Sequence, residues 1–325
     1  MKRRGGRRGW RGRVALTSHL GLVAILGGMT GGIARAQAAH AGGSWSWVDA
    51  YYFDYSAMSA APTGPAMDRW LDRYAPYVFF EDPTLGQGAV GRDTIRQAYV
   101  AAFTGPLGPV RWTILRRVAS ADWAAVEGWV EGTQNGKPFR TRFSTWLKIK
   151  AGRIVHQIDY VDYAAMRRQV AGTEAVPDGT VDAVPAAGGR DSTRALRVAD
   201  EFYRRYEAMP VLASAAAVER YTDLLTDDFR LEDPTARART EGRVRYRDAL
   251  NGLLAKGDYR VFHWEIDRRL TDGEWVAVEG TWRGIFKGQP LAARFTTWLR
   301  VRGDRIAHHI DYLDYAPFRG ITSSR

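Results

Sequence analysis

One set of short motifs recurs in the same order along the chain. "FEDPT" at 80–84 returns as "LEDPT" at 231–235, and "VEG" at 126–128 as "VEG" at 278–280. "RFSTWL" at 142–147 returns as "RFTTWL" at 294–299, and "HQIDYVDY" at 156–163 as "HHIDYLDY" at 308–315. The offset is 151 residues for the early matches and 152 for the late ones, so one residue is gained between them. A repeat of this length is too long for a solenoid unit and long enough to bury a core of its own. The duplication therefore predicts two domains of one fold, at 44–168 and 194–320. The intervening 169–193, "QVAGTEAVPDGTVDAVPAAGGRDST", has no aromatic residue and many Ala, Gly and Pro, which reads as a linker.

Each copy orders its elements alike. In the second, Ser192-Thr193 reads as an N-cap for "RALRVADEFYRRYEAM", which sets Leu196, Ala199 and Tyr203 on one helical stripe. Its counterpart is "WSWVDAYYFDYSAM". After an "EDP" turn, Ile95, Tyr99 and Phe103 recur at helical spacing. Four alternating segments follow, "VRWTILRRV", "AAVEGWVEG", "FRTRFSTWLKI" and "RIVHQIDYV", with hairpin turns at Asn135-Gly136 and Ala151-Gly152. Helices followed by an antiparallel meander predict an α+β domain with helices on one face of a curved sheet.

The formal charge of +11 invites a nucleic-acid partner, but its placement excludes one. Lys2, Arg3, Arg4, Arg7, Arg8, Arg11, Arg13 and Arg35 all precede the first acid, Asp49, and the rest of the chain carries only +3. Phosphate binding needs a clustered basic face. The basic opening, the apolar "VALTSHLGLVAILGGMTGGIA" and the small-residue pattern Ala36-Gln37-Ala38 instead read as an export signal over 1–38, cleaved after Ala38. Arg7-Arg8 resembles a twin-arginine signal, the mark of export in the folded state. The apolar run is short and Gly-rich for a membrane anchor, so no stable span is expected after processing. Without cysteine, disulfides, thiol catalysis and thiolate metal sites are excluded.

"LLTDDFRLEDPT" at 224–235, followed by "EGR", resembles the signature of the nuclear-transport-factor-2-like superfamily, which includes ketosteroid isomerase and the SnoaL-like polyketide cyclases. The resemblance covers nearly all of both copies. It implies two cone-shaped domains, each a curved antiparallel sheet wrapped on its N-terminal helices, with a pocket for a small apolar, polyketide- or steroid-like ligand and no cofactor. It also assigns candidate residues. The general base of isomerase-type members falls on Asp82 and Asp233. The acid of the cyclase and epoxide-hydrolase branches falls on Asp159 and Asp311, and the phenolic donor of the first helix on Tyr52 and Tyr203. Where the isomerase has a second acid, this chain has hydroxyls, at Ser144 or Thr145 and at Thr296 or Thr297. Where the epoxide hydrolase has an Arg-x-Asp pair, it has Glu127 and Trp129, and Glu279 and Thr281. The fold hosts isomerases, cyclases, dehydratases, epoxide hydrolases and non-catalytic adaptors alike, so the resemblance leaves the activity open.

Strand alternation divides the repeated phrase between two faces. Gln157, Asp159 and Val161 share one, while His156, Ile158, Tyr160 and Asp162 share the other. The first face is expected to line the cone, where apolar neighbours would raise a carboxyl pKa toward proton transfer. The second, with its equivalents Ile310 and Tyr312, is too apolar for water and is expected to pack against the other copy as an internal pseudo-dimer. Three readings remain: an enzyme with Asp159 or Asp311 as base, a module that binds a ligand or a protein, and a purely architectural domain. The structural alternative for each acid is an ion pair with Arg142 or Arg294. His308 and His309, adjacent on a strand, point to opposite faces and are not expected to share a metal ion.

Overall fold

Alternation along the repeated segments is converted directly into sheet. A computed structural model describes residues 45–178, 191–212 and 214–322. The export segment and residues 179–190 of the expected linker lie outside the described residues. The first copy runs α1 (Trp45–Ala60), α2 (Pro65–Leu71), β1 (Tyr74–Asp82), β2 (Gln87–Val90), α3 (Arg92–Phe103), β3 (Arg111–Ala119), β4 (Trp123–Gln134), β5 (Lys137–Lys150), β6 (Arg153–Val161) and α4 (Tyr163–Val170). The second repeats it as α5 (Ser192–Leu212), α6 (Ala215–Thr222), β7 (Leu225–Asp233), β8 (Ala238–Glu241), α7 (Arg243–Ala255), β9 (Tyr259–Thr271), β10 (Trp275–Phe286), β11 (Gln289–Arg302), β12 (Arg305–Leu313) and α8 (Ala316–Thr322).

Each copy builds one six-stranded sheet, ordered β2-β1-β6-β5-β4-β3 and β8-β7-β12-β11-β10-β9. The four-strand meander is as expected, and Asn135 (φ 52°) and Gly136 (φ 75°) form its left-handed two-residue turn. The sheet is mixed, however, because β1 adds to β6 in parallel, with Phe80 opposite Gln157. The stretch leading into "EDP", to which the sequence reading assigns no element, is therefore a strand. Its alternation is hidden because the outward residues Tyr77 and Phe79 are as apolar as the inward Val78 and Phe80. A second correction concerns the start of α5. The cap is Asp191, whose carboxylate accepts from the Arg194 amide at 3.0 Å, and Ser192-Thr193 lie inside the helix.

The concave face of the first sheet covers Val48, Tyr51, Tyr52, Tyr55 and Met58 of α1, at positions i, i+3, i+4, i+7 and i+10, so that one stripe is buried. A bulge bends the sheet at the same place in both copies. Leu115 is inserted opposite Gly128, and Asp267 opposite Gly280. Both glycines are obligatory for the bend: a Cβ at Gly128 would lie 2.0 Å from the Thr113 carbonyl oxygen, and one at Gly280 2.1 Å from that of Glu265.

The convex faces meet in a third core, in which Trp146, Ile158, Tyr160, Trp298, Ile310 and Tyr312 are all 0% exposed. The contact is reciprocal about a pseudo-twofold. Trp146 Nε1 donates to Thr296 Oγ1 at 2.8 Å, and Trp298 Nε1 to Ser144 Oγ at 3.0 Å. Tyr160 donates to Glu279 and Tyr312 to Glu127. Arg116 stacks on Trp275 at 4.5 Å and Arg268 on Trp123 at 4.2 Å. The expected internal pseudo-dimer is thus present, sheet against sheet.

Candidate functional site

Strand β6 delivers Asp159 to the interior of the first cone, where the residue is 8% exposed. Among the described residues no arginine pairs with it. Thr145 Oγ1, directly across the ladder, donates to Oδ1 at 2.7 Å, and Gln157 Nε2 donates to Oδ2 at 2.8 Å. Gln157 is itself fixed from behind. Its Oε1 accepts from Tyr51 at 3.0 Å and from Tyr74 at 2.7 Å, and the two hydroxyls lie 2.8 Å apart. Burial raises both phenols well above their ordinary pKa, so they remain protonated donors. Burial, and then the charge of Asp82, push Asp159 up to about 7, against the pull of its two hydrogen bonds. A carboxyl tuned to that value exchanges protons near neutrality.

Asp82 ends β1 and is 2% exposed. Tyr163, at the start of α4, donates to it at 2.6 Å, and Thr84 and the Leu85 amide donate to its other oxygen. Burial raises its pKa despite these donors. Asp82 thus serves both as a turn former and as the acid whose charge acts on Asp159.

The second copy keeps the plan and changes its wiring. Thr297 donates to Asp311 at 2.6 Å, and Tyr315 donates to Asp233 at 2.5 Å. Burial and the charge of Asp311 raise Asp233. The residues that fix Gln157 are replaced: Tyr51, Tyr74 and Gln157 become Phe202, Leu225 and His309. His309 Nε2 lies 3.8 Å from Asp311 Oδ2, its ring meets Phe202 edge-on at 5.3 Å, and its buried Nδ1 has no hydrogen-bond partner. His308 faces the other way, toward Glu232 at 3.2 Å.

Tyr52 and Tyr203 stand on the first helix of each cone, beside Thr145 and Thr297, and burial raises both phenols. Their hydroxyls are buried and, among the described residues, make no hydrogen bond of ordinary geometry. Each ring lies 5.4 Å from a tryptophan, Trp112 or Trp264, whose buried Nε1 is also without a partner. A buried unsatisfied donor costs about 1–3 kcal/mol. The same pair of them recurs in both cones.

Arg142 and Arg294 do not pair with the cone acids. They bind Glu127 and Glu279, both 0% exposed, on the opposite face of the sheet, and reach across to Glu232 and Glu81. This removes the ion-pair alternative for Asp159 and Asp311, and leaves nothing of the epoxide-hydrolase pair in the cone. Of the ambiguous hydroxyls, Thr145 and Thr297 belong to the site and Ser144 and Thr296 to the interface. Among the described residues, surface clefts of about 490 and 420 Å³ lie at Val261–Ala292 and around Trp47, Asp54 and Arg153, and neither is lined by a candidate acid. Water still reaches the second cone, where the Asp311 side chain is 17% exposed.

Sequence reasoning sets Gln157 on the cone-lining face beside Asp159 without giving it a role, and gives no role in the site to Tyr163, Tyr315, His309, Trp112 or Trp264. Tyr163 and Tyr315 are visible in the sequence as the last residue of the repeated phrase. Gln157 and His309 are marked by being the only change between "HQIDY" and "HHIDY".

Among solved structures, the chain is similar to an NTF2-like protein from Anabaena variabilis, at 22% identity over 38% of this chain and 90% of that one, TM-score 0.33. It is similar to a putative SnoaL-like polyketide cyclase from Shewanella putrefaciens at 14% identity, over 42% and 100%, TM-score 0.33. It is also similar to an LEH-like epoxide hydrolase of M. tuberculosis at 24% identity, over 40% and 90%, TM-score 0.33. Comparison with curated proteins finds no match. The model of the SnoaL-like domain matches residues 55–157 and again 199–309, more than half of the chain. Both copies carry the domain in sequence and in fold, and the protein belongs to the SnoaL-like domain family as a tandem member.

Proposed function

We propose that the first cone binds a small, largely apolar molecule bearing an acceptor oxygen, and that Asp159 moves a proton on it without a cofactor. The observation that carries this reading is the Asp159 carboxyl: buried, without a cation, held by Thr145 and Gln157, and raised to about 7. Tyr52 Oη and Trp112 Nε1 offer two buried donors for the ligand's oxygen, as expected of a site that polarises a carbonyl while a nearby base removes the adjacent proton. Aromatic walls from Tyr52, Trp112 and Phe143 suit a polyketide- or steroid-like body. The second cone, with Asp311, Tyr203 and Trp264, binds a related molecule. Residues 1–38 support a place of action outside the cytoplasm.

A non-catalytic binding module is the second reading, favoured by these surface clefts, neither of which a candidate acid lines. Titrating the protein with a panel of polycyclic ketones, following heat and product together, separates the two. Asp159→Asn that keeps affinity and loses turnover supports the enzyme. Binding without product in the wild type supports the module, and neither heat nor product leaves an architectural role.

A further inference from the structure

The two copies differ in chemistry at one outer edge. On the convex side of the first sheet, Tyr77, Phe79 and Val90 are 89%, 43% and 62% exposed, with Phe79 directly opposite Val90 in the β1–β2 ladder. The same register positions in the second copy hold Asp228, Arg230 and Glu241. There Arg230 stands opposite Glu241, 3.3 Å away, and Asp228 binds Arg302. The outermost strand shows the same contrast, "QGAV" in β2 against "ARTE" in β8. Charges on an edge strand are the ordinary protection against pairing with another chain, and one copy has them while the other does not.

The apolar edge is continuous with the contact between the copies. Trp146 in the third core meets Trp123 at 6.4 Å, Trp123 meets His156 at 5.8 Å, and His156 meets Phe79 at 5.1 Å. The path from the buried interface to the open edge is thus a row of touching rings. We propose that the β1–β2 edge docks a second copy of this chain, edge to edge about a twofold axis, with Tyr77, Phe79 and Val90 buried against their equivalents. An apolar edge whose outer strand carries no charge, and whose nearest carboxylate, Glu81, is already paired with His156 and Arg294, is complementary to itself, which is what an isologous contact requires. The charged β8 edge would have to be desolvated to take its place, so head-to-tail growth through these two edges is disfavoured and association stops at two. A strand of four residues buries less than a standard interface, which sets the dimer in the micromolar range.

The test is sedimentation equilibrium of the processed chain, as recovered from an exporting host, between roughly 1 and 500 µM, a range bracketing micromolar dissociation. The wild type should move from monomer to dimer. The paired exchange Phe79→Arg with Val90→Glu, which installs residues the same register already accepts in the second copy, should raise the dissociation constant at least about 100-fold, leaving monomer throughout. Circular dichroism and thermal unfolding of the exchanged protein should match the wild type. If they do not, Tyr77→Asp, at a residue that packs on little, repeats the measurement. A wild type that stays monomeric at every concentration, or a dimer that survives the exchange, overturns the proposal.

Discussion

Tyr312 of the second copy donates a 2.9 Å hydrogen bond to Glu127 of the first, a carboxylate that is 0% exposed and also held by Arg116 and Arg142. Removing one partner from such a cluster leaves uncompensated buried charge, so Glu127→Ala should cost about 3–5 kcal/mol of stability. Tyr312→Phe, which deletes one bond to an ionised acceptor, should cost about 1.5–3 kcal/mol. Denaturant unfolding of both single variants and the double checks this. Additive losses would mean that the hydroxyl and the carboxylate do not interact.

The pH dependence of stability follows from Asp159. Its folded pKa of about 7 stands above the ordinary unfolded value near 4, so between those limits the folded chain holds more protons than the unfolded one. The Asp159 contribution to stability then falls as pH rises from about 4 to about 7, by up to ~1.4 kcal/mol for each pH unit crossed. Asp82 and Asp233, also raised, act in the same direction. Asp159→Asn should flatten this slope and leave the variant more stable than the wild type at pH 8. Urea unfolding across pH 4–8 measures it, and an unchanged slope would contradict the raised value.

Gln157 donates to the charged form of Asp159 and lowers its pKa. Gln157→Leu should therefore push the carboxyl above about 7, and the proton-transfer profile, where turnover is found, should move to higher pH with it. Carboxyl carbon chemical shifts followed through a titration report the change directly. A shift downward would show that the amide does not act on the carboxylate as its geometry implies.

The bend at Gly128 leaves no room for a side chain, with the Thr113 carbonyl oxygen 2.0 Å from where a Cβ would stand. Gly128→Ala should lower stability by about 3 kcal/mol, the top of the usual range for overpacking that forces backbone to move. Gly152→Ala, at a turn with open space around it but a φ of 72°, should cost only about 1 kcal/mol. Thermal unfolding of the two variants should rank them in that order.

The meander was legible because Phe143, Thr145 and Leu147 alternate with Ser144, Trp146 and Lys148, and each set has one destination. The orientation of Asp159 was legible for the same reason. Strand β1 was not, because Tyr77 and Phe79 face outward and are apolar, so the period-two signal vanishes where the surface is itself hydrophobic. Its parallel pairing with β6 joins residues such as Phe80 and Gln157 that are far apart in the chain, a contact no local pattern encodes. Arg142 was a natural partner for Asp159 on composition alone, but the alternation of β5 decides otherwise. Arg142 lies across the ladder from Trp129, on the convex side with Ser144, whereas Phe143 and Thr145 point into the cone. The two donors Tyr52 and Trp112 come from a helix and a strand that meet only in the folded cone.

Because the twin sheets belong to one polypeptide, dilution cannot separate them, and the partner of each is present at an effective concentration no free subunit reaches. In a homodimer every substitution is inherited by both halves at once. Here Gln157 and His309 could part ways beneath an unchanged seam of tryptophans, giving two neighbouring chambers that are free to specialise.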